Sequence, residues 1–155
     1  MPLYLVQHGK ALPADVDPER GLAAEGKAEV ERIAGVARGY GVAVGSIRHS
    51  GKKRARETAE ILAAALSPRG GMDEAEGLAP NDDVIPVARG LDEAEDLMIV
   101  GHLPFLERLA AYLVTGVAER RVFALQNGGI LCLDREAGDR WWFIRWALMP
   151  HVGSS

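Results

Sequence analysis

Leu3-Tyr4-Leu5-Val6 is followed at once by Gln7-His8-Gly9-Lys10. Four apolar residues with no polar alternation suit a strand buried on both faces, as in a parallel sheet covered by helices. The polar residues then sit at the strand's C-terminal end, where open α/β sheets bind their ligands. The same arrangement recurs in Leu97-Met98-Ile99-Val100, which runs directly into Gly101-His102. In a parallel sheet the two strand ends lie on one edge, and Gly9 and Gly101 let backbone come close to a ligand. An isolated histidine after a strand is usually an ordinary one bonded to backbone. Two of them at equivalent strand ends point to a shared site.

Working outward, Ala24 to about Arg38 reads as an amphipathic helix. Val30, Ile33, Ala34 and Ala37 face inward and Lys27, Glu29, Glu31 and Arg32 outward, with Gly39 and Gly41 ending it. A weak strand from Val44 to Arg48 leads to His49-Ser50-Gly51. A second helix runs from about Lys52 to Leu66, with Ala55, Ala59, Leu62 and Leu66 as its apolar stripe. Between Met72 and Arg89 the pattern gives only a turn, at Pro80-Asn81-Asp82-Asp83. Leu91 to Glu95 reads as a helical turn. Pro104 suits the first turn of a helix continuing to Gly116. Strands around Ile130–Leu133 and Trp141–Trp146 close the chain, joined by a hairpin at Glu136–Asp139. Alternating strands and helices followed by a hairpin predict one three-layer α/β/α domain over residues 1–155, with a mostly parallel sheet.

The bulk properties narrow the function. Eighteen Lys and Arg against 22 Asp and Glu give a net charge of −4, so neither nucleic acid nor an anionic membrane is an expected partner. Any anion site is therefore local. The lone cysteine, Cys132, can form no internal disulfide, and no C-x-x-C pair announces a zinc site. No basic leader or membrane-length apolar run is present, so a cytoplasmic protein without cofactor or metal is expected.

Lys52-Lys53-Arg54-Ala55-Arg56 opens the second helix, where cations oppose the macrodipole. A local rule broken at a helix start invites a functional explanation. Arg54, Thr58 and Ile61 share the face bordering the apolar stripe, so Arg54 can offer a bidentate fork to a phosphate. Lys53 and Glu57 read as a solvated i,i+4 pair, and Lys52 and Arg56 as plain surface charge.

Three motifs in order carry a resemblance. Gln7-His8-Gly9 resembles the Arg-His-Gly signature of the histidine phosphatase superfamily. Ser50-Gly51-Lys52-Lys53-Arg54-Ala55-Arg56-Glu57-Thr58 resembles its Ser-Pro-x-x-Arg-Ala-x-x-Thr segment. Gly101-His102-Leu103-Pro104 resembles the second-histidine segment of its small SixA-like phosphohistidine phosphatases. The resemblance implies a phosphoglycerate mutase-like fold and a metal-independent phosphatase. His8 would be the nucleophile, Arg54 the phosphate clamp and His102 a donor to the phosphoryl oxygens. Gln7, Gly9, Lys10 and Asn127 would complete the phosphate pocket. The expected substrate is a phosphohistidine-bearing protein, such as a phosphotransfer domain, or a small phosphorylated molecule.

Two departures qualify this. Gln7 stands where the family has arginine, which removes a charge and a fork; Lys10 is a candidate replacement. Gly77 falls near the general-acid glutamate of larger members, and Asp82 and Asp83 look like turn formers rather than substitutes. The alternative is a catalytically impaired homologue that binds phosphate or phosphoprotein.

Overall fold

The computed structural model describes residues 1–91 and 96–153. Strands β1 (Leu3–Gln7), β2 (Ser46–His49), β3 (Met72–Glu74), β4 (Leu97–Gly101), β5 (Ile130–Asp134) and β6 (Phe143–Leu148) form one sheet. Its order is β3-β2-β4-β1-β5-β6. β3, β2, β4 and β1 are mutually parallel, while β5 runs against both β1 and β6. The helices are α1 (Ala24–Gly39), α2 (Lys53–Leu66), α3 (Ile85–Gly90) and α4 (Phe105–Thr115). Among the described residues no helix is long and apolar enough to cross a membrane.

The alternation of strand side chains sorts the core into two layers. Tyr4, Val6, Met98, Val100, Ile130 and Cys132 pack with Val30, Ile33, Ala59 and Leu62 of α1 and α2. Leu3, Leu5, Leu97, Ile99, Leu131 and Leu133 pack with Phe105, Leu106 and Leu109 of α4 on the other face. This is the expected three-layer sandwich, and the unalternating runs of β1 and β4 are its two central strands. Cys132 is buried and burial pushes its thiol up to about 11, as befits an inert core sulfur.

Several expectations change. β3 and α3 went unread: the first has three residues and the second buries none of its six. The predicted strand at Val44 starts at Ser46, and the last strand is shifted to Phe143–Leu148. The helical turn expected at Leu91–Glu95 lies largely outside the described residues. Glu29 faces inward, 9 % exposed, with its carboxylate 2.6 Å from His151 Nε2 and 3.8 Å from the Lys10 ammonium. Lys53 pairs with Asp17 at 3.0 Å rather than with Glu57, whose carboxylate instead accepts the Leu22 amide.

Candidate active site

The sheet register builds the site. Gln7 pairs with Gly101 across β1 and β4, and the His8 amide donates to the Gly101 carbonyl at 3.0 Å. The chain then leaves both strands at the same height, and the His8 and His102 rings lie 5.1 Å apart. β2 ends beside β4, His49 opposite Val100, which delivers Ser50 to the same edge. Its hydroxyl is 2.6 Å from His102 Nε2. From the other side, the Gly128 amide donates to the Gln7 carbonyl and the Asn127 amide to the His8 carbonyl at 2.9 Å. α2 is tied in by Thr58, whose buried hydroxyl accepts from the Gly9 amide and donates to the Arg54 carbonyl. A side chain at Gly9 would collide with Val30, so the loop after β1 packs directly on α1.

Hydrogen bonding sets the state of the two rings. His8 Nδ1 is 2.7 Å from the Gly9 carbonyl, which can only accept. Nδ1 therefore carries the proton, and Nε2 keeps a free lone pair. Burial, with help from the Arg54 and Arg20 charges, holds the His8 pKa below its ordinary 6.5 against the opposing Gly9 bond. His102, 2 % exposed, is driven to about 3 by burial and then by His8, Arg54 and Lys52. Both rings are neutral at pH 7. Among the described residues the charges that shift this pair are positive: Arg54 and Arg20 on His8, and His8, Arg54 and Lys52 on His102.

Four buried side-chain nitrogen or oxygen atoms among the described residues lack a hydrogen-bond partner. Three belong here: Gln7 Oε1, Arg54 Nε and His102 Nδ1. Of these only Arg54 Nε is a donor that an anion can satisfy, and a buried donor without a partner marks a place that expects an acceptor. Burial and the neighbouring Arg20 charge also lower the pKa of Arg54, so an anion would relieve it. Among the described residues no group of three or more His, Cys, Asp and Glu side chains is placed to hold a metal.

His8, Arg54, His102, Gln7, Gly9 and Asn127 thus come together. Asn127 does so by holding the His8 backbone. Lys10 points elsewhere: its ammonium lies 2.8 Å from Glu25 and 3.8 Å from Glu29. Asp82 and Asp83 accept the Ala79 and Ile85 amides, so they are turn formers. His49, next to Ser50, is buried and accepts the Gly51 amide. His151 is fastened by Glu29 and Gln126. Ser50 was missed as a site residue; it lay inside a quoted motif, and its position before that motif's helix was the available signal.

Two neutral histidines and a guanidinium thus belong to the C-terminal edge of a three-layer sandwich. No protein-family model matches the sequence, and no curated protein does either. Solved structures do. The protein histidine phosphatase SixA complexed with tungstate superposes with a TM-score of 0.84 at 23 % identity, over 97 % of both chains. A SixA-named protein from Agrobacterium tumefaciens gives 0.77 at 24 %, over 96 % of this chain and 97 % of the other. The alpha-ribazole phosphatase from Shigella flexneri gives 0.78 at 18 %, over the whole of both chains. All three identities are below 25 %, and what the chain shares with these proteins is the phosphoglycerate mutase-like fold.

Proposed function

We propose that the protein is a metal-independent phosphatase of the SixA type, acting in the cytoplasm on phosphohistidine carried by a protein. The observation that carries this is the His8 ring: neutral, with Nδ1–H fixed on Gly9 and Nε2 free, beside the unsatisfied Arg54 Nε and the His102 ring, whose centroid lies 5.1 Å away. In the first step the Nε2 lone pair attacks phosphorus, the bond to the leaving atom breaks, and a phosphorylated His8 forms. Arg54 holds the phosphoryl oxygens, and the His102 Nε2–H turns from Ser50 to the charge developing on them. In the second step water attacks phosphorus, the P–N bond breaks, and phosphate leaves with His8 restored. The leaving group receives its proton from solvent, since the Asp82 and Asp83 carboxylates are committed to the Ala79 and Ile85 amides. A phosphoramidate, whose leaving nitrogen protonates readily, suits that better than an alkyl ester.

Turnover of a phosphohistidine protein and an aryl phosphate, side by side and in EDTA, tests this. Phosphohistidine turnover is expected to survive the chelator. After alkaline quench, label is expected on His8 and absent from His8→Ala. Label on Ser50 or Cys132, or activity lost to EDTA and restored by zinc or magnesium, refutes it. A second reading has its own observation. Gln7 presents a buried acceptor oxygen without a partner where the family has a guanidinium, which suits a phosphate-binding homologue with impaired catalysis. Phosphate binding without any phospho-His8 in a single turnover would select that reading.

A further inference from the structure

His8 and His102 are held by opposite nitrogens. His8 places Nδ1 2.7 Å from the Gly9 carbonyl and leaves Nε2 free. His102 does the reverse. Its Nε2 lies 2.6 Å from the Ser50 hydroxyl, while its Nδ1 is buried without a partner. Nε2 therefore carries the proton. The other tautomer would bury an N–H at Nδ1 with nothing among the described residues to accept it, and orphaned donors are the rarer and costlier kind.

Ser50 is itself well anchored. It follows β2 directly, and the His49 carbonyl before it accepts the amide of Ala75, the residue after β3. His49 Nδ1 accepts the Gly51 amide at 3.1 Å. Gly51 adopts φ +87°, and a Cβ there would strike the Glu74 carboxylate, so the turn that carries Ser50 needs glycine. The Lys52 amide reaches back to Ser50 Oγ at 3.4 Å. A hydroxyl oxygen has two lone pairs, so it can accept from His102 and Lys52 at once. Arg54 follows in the first turn of α2, so the hydroxyl and the guanidinium come from one short stretch of chain.

We infer that Ser50 is a positioning residue: it keeps the His102 proton on Nε2 and the ring turned to this edge, so that His8 offers the phosphoryl group a lone pair and His102 offers it an N–H. This rests on the phosphatase reading and adds to it the group that prepares the second ring. The wrong tautomer would set a lone pair against a negatively charged oxygen. A ring with no acceptor at Nε2 would be free to turn away. A hydrogen bond made before the anion arrives removes both states, and a donor already aimed needs little reorganisation when charge develops. Ser50 acts through His102 and needs no contact of its own with the phosphoryl group.

Two measurements test this. Imidazole nitrogen NMR on the unsubstituted chain, at a pH where both rings are neutral, should show His8 protonated at Nδ1 and His102 at Nε2. A proton on Nδ1 of His102 overturns the assignment without any variant. The second measurement is a cycle of Ser50→Ala, His102→Ala and the double variant, with Ser50→Thr and Arg54→Ala alongside. Turnover of a phosphohistidine protein, inhibition by vanadate and melting temperature are read for each. Ser50→Ala should lower kcat on the order of tenfold with KM nearly unchanged, a smaller loss than that of a whole oxyanion donor. Ser50→Thr, which keeps the hydroxyl, should restore most of that loss. In the His102→Ala background Ser50→Ala should cost nothing further, a fully non-additive pair. An equal loss in both backgrounds means that Ser50 works independently of His102, and the proposal fails. If Ser50→Ala keeps full turnover while Arg54→Ala loses vanadate, the Ser50 assignment is wrong and the phosphatase reading stands. If Arg54→Ala binds vanadate like wild type, both fall.

Discussion

Gln7 tests the electrostatics of the pocket most directly. Adding a guanidinium beside the transferring group favours a transition state whose charge is spread over its equatorial oxygens. A charged hydrogen bond of roughly 1.5–3 kcal/mol, at about 1.4 kcal/mol per decade, predicts that Gln7→Arg raises turnover on the order of tenfold or more. Lys10→Ala should leave phosphate affinity nearly unchanged, because its ammonium serves Glu25; a clear loss in an isothermal titration would put Lys10 back in the pocket. The pH profile follows from His8. Attack needs the neutral ring, and its pKa lies below 6.5, so the acid limb of kcat/KM should fall below pH 6.5. Arg54→Ala removes a charge that helps keep His8 deprotonated. Its residual activity should show that limb moved to higher pH, and an unmoved limb would mean that another group titrates. At this scale His8 and Arg54 stood out in the sequence because each breaks a local expectation: a polar residue capping an apolar run, and a cation at a helix start. Ser50 breaks no such rule, and only the fold brings its hydroxyl to His102.

Thr58 and Gly26 show how whole elements hold the site. Thr58, fully buried, joins α2 to the turn after β1 through one hydroxyl. Thr58→Val keeps the shape but orphans the Gly9 amide, which costs about 1–3 kcal/mol. It should lower the melting temperature and depress turnover together, since Gly9 fixes the His8 tautomer. Unchanged turnover would separate α2 from the nucleophile. At Gly26 any Cβ would overlap the Lys10 carbonyl, so α1 crosses the post-β1 loop in direct backbone contact. Gly26→Ala should therefore be among the more damaging single-methyl changes, read as a drop in urea midpoint. The helices and strands that make these contacts were legible from periodicity, because α1, α2, α4, β1 and β4 each bury a continuous stripe. β3 and α3 were not. β3 exposes Asp73 and Glu74, and α3 carries Pro86 and leaves all its residues at least partly exposed, so neither writes a hydrophobic period into the sequence.

Across the whole molecule, stability is coupled to the site through His102. The ring is held neutral down to about pH 3 in the fold but protonates near 6.5 when unfolded. Between those values the unfolded chain binds the extra proton, so this contribution is complete above about pH 6.5 and shrinks as pH falls toward 3. Urea midpoints should decline over that window, and His102→Gln should flatten the decline. Anion binding works the other way. A doubly charged anion among these groups favours the protonated rings, so sulfate should bind more tightly at about pH 5 than at about pH 8. The opposite trend would mean that the histidines do not face the anion.

β1 lies inside the sheet between β4 and β5, and the His8 amide is bonded to Gly101 at its end. Hydrogen exchange at the His8 amide should therefore need disruption of the central strands, and protection there should track the global stability. A chain built this way can vary the loops that surround this edge of the sheet without reopening the strands that place His8.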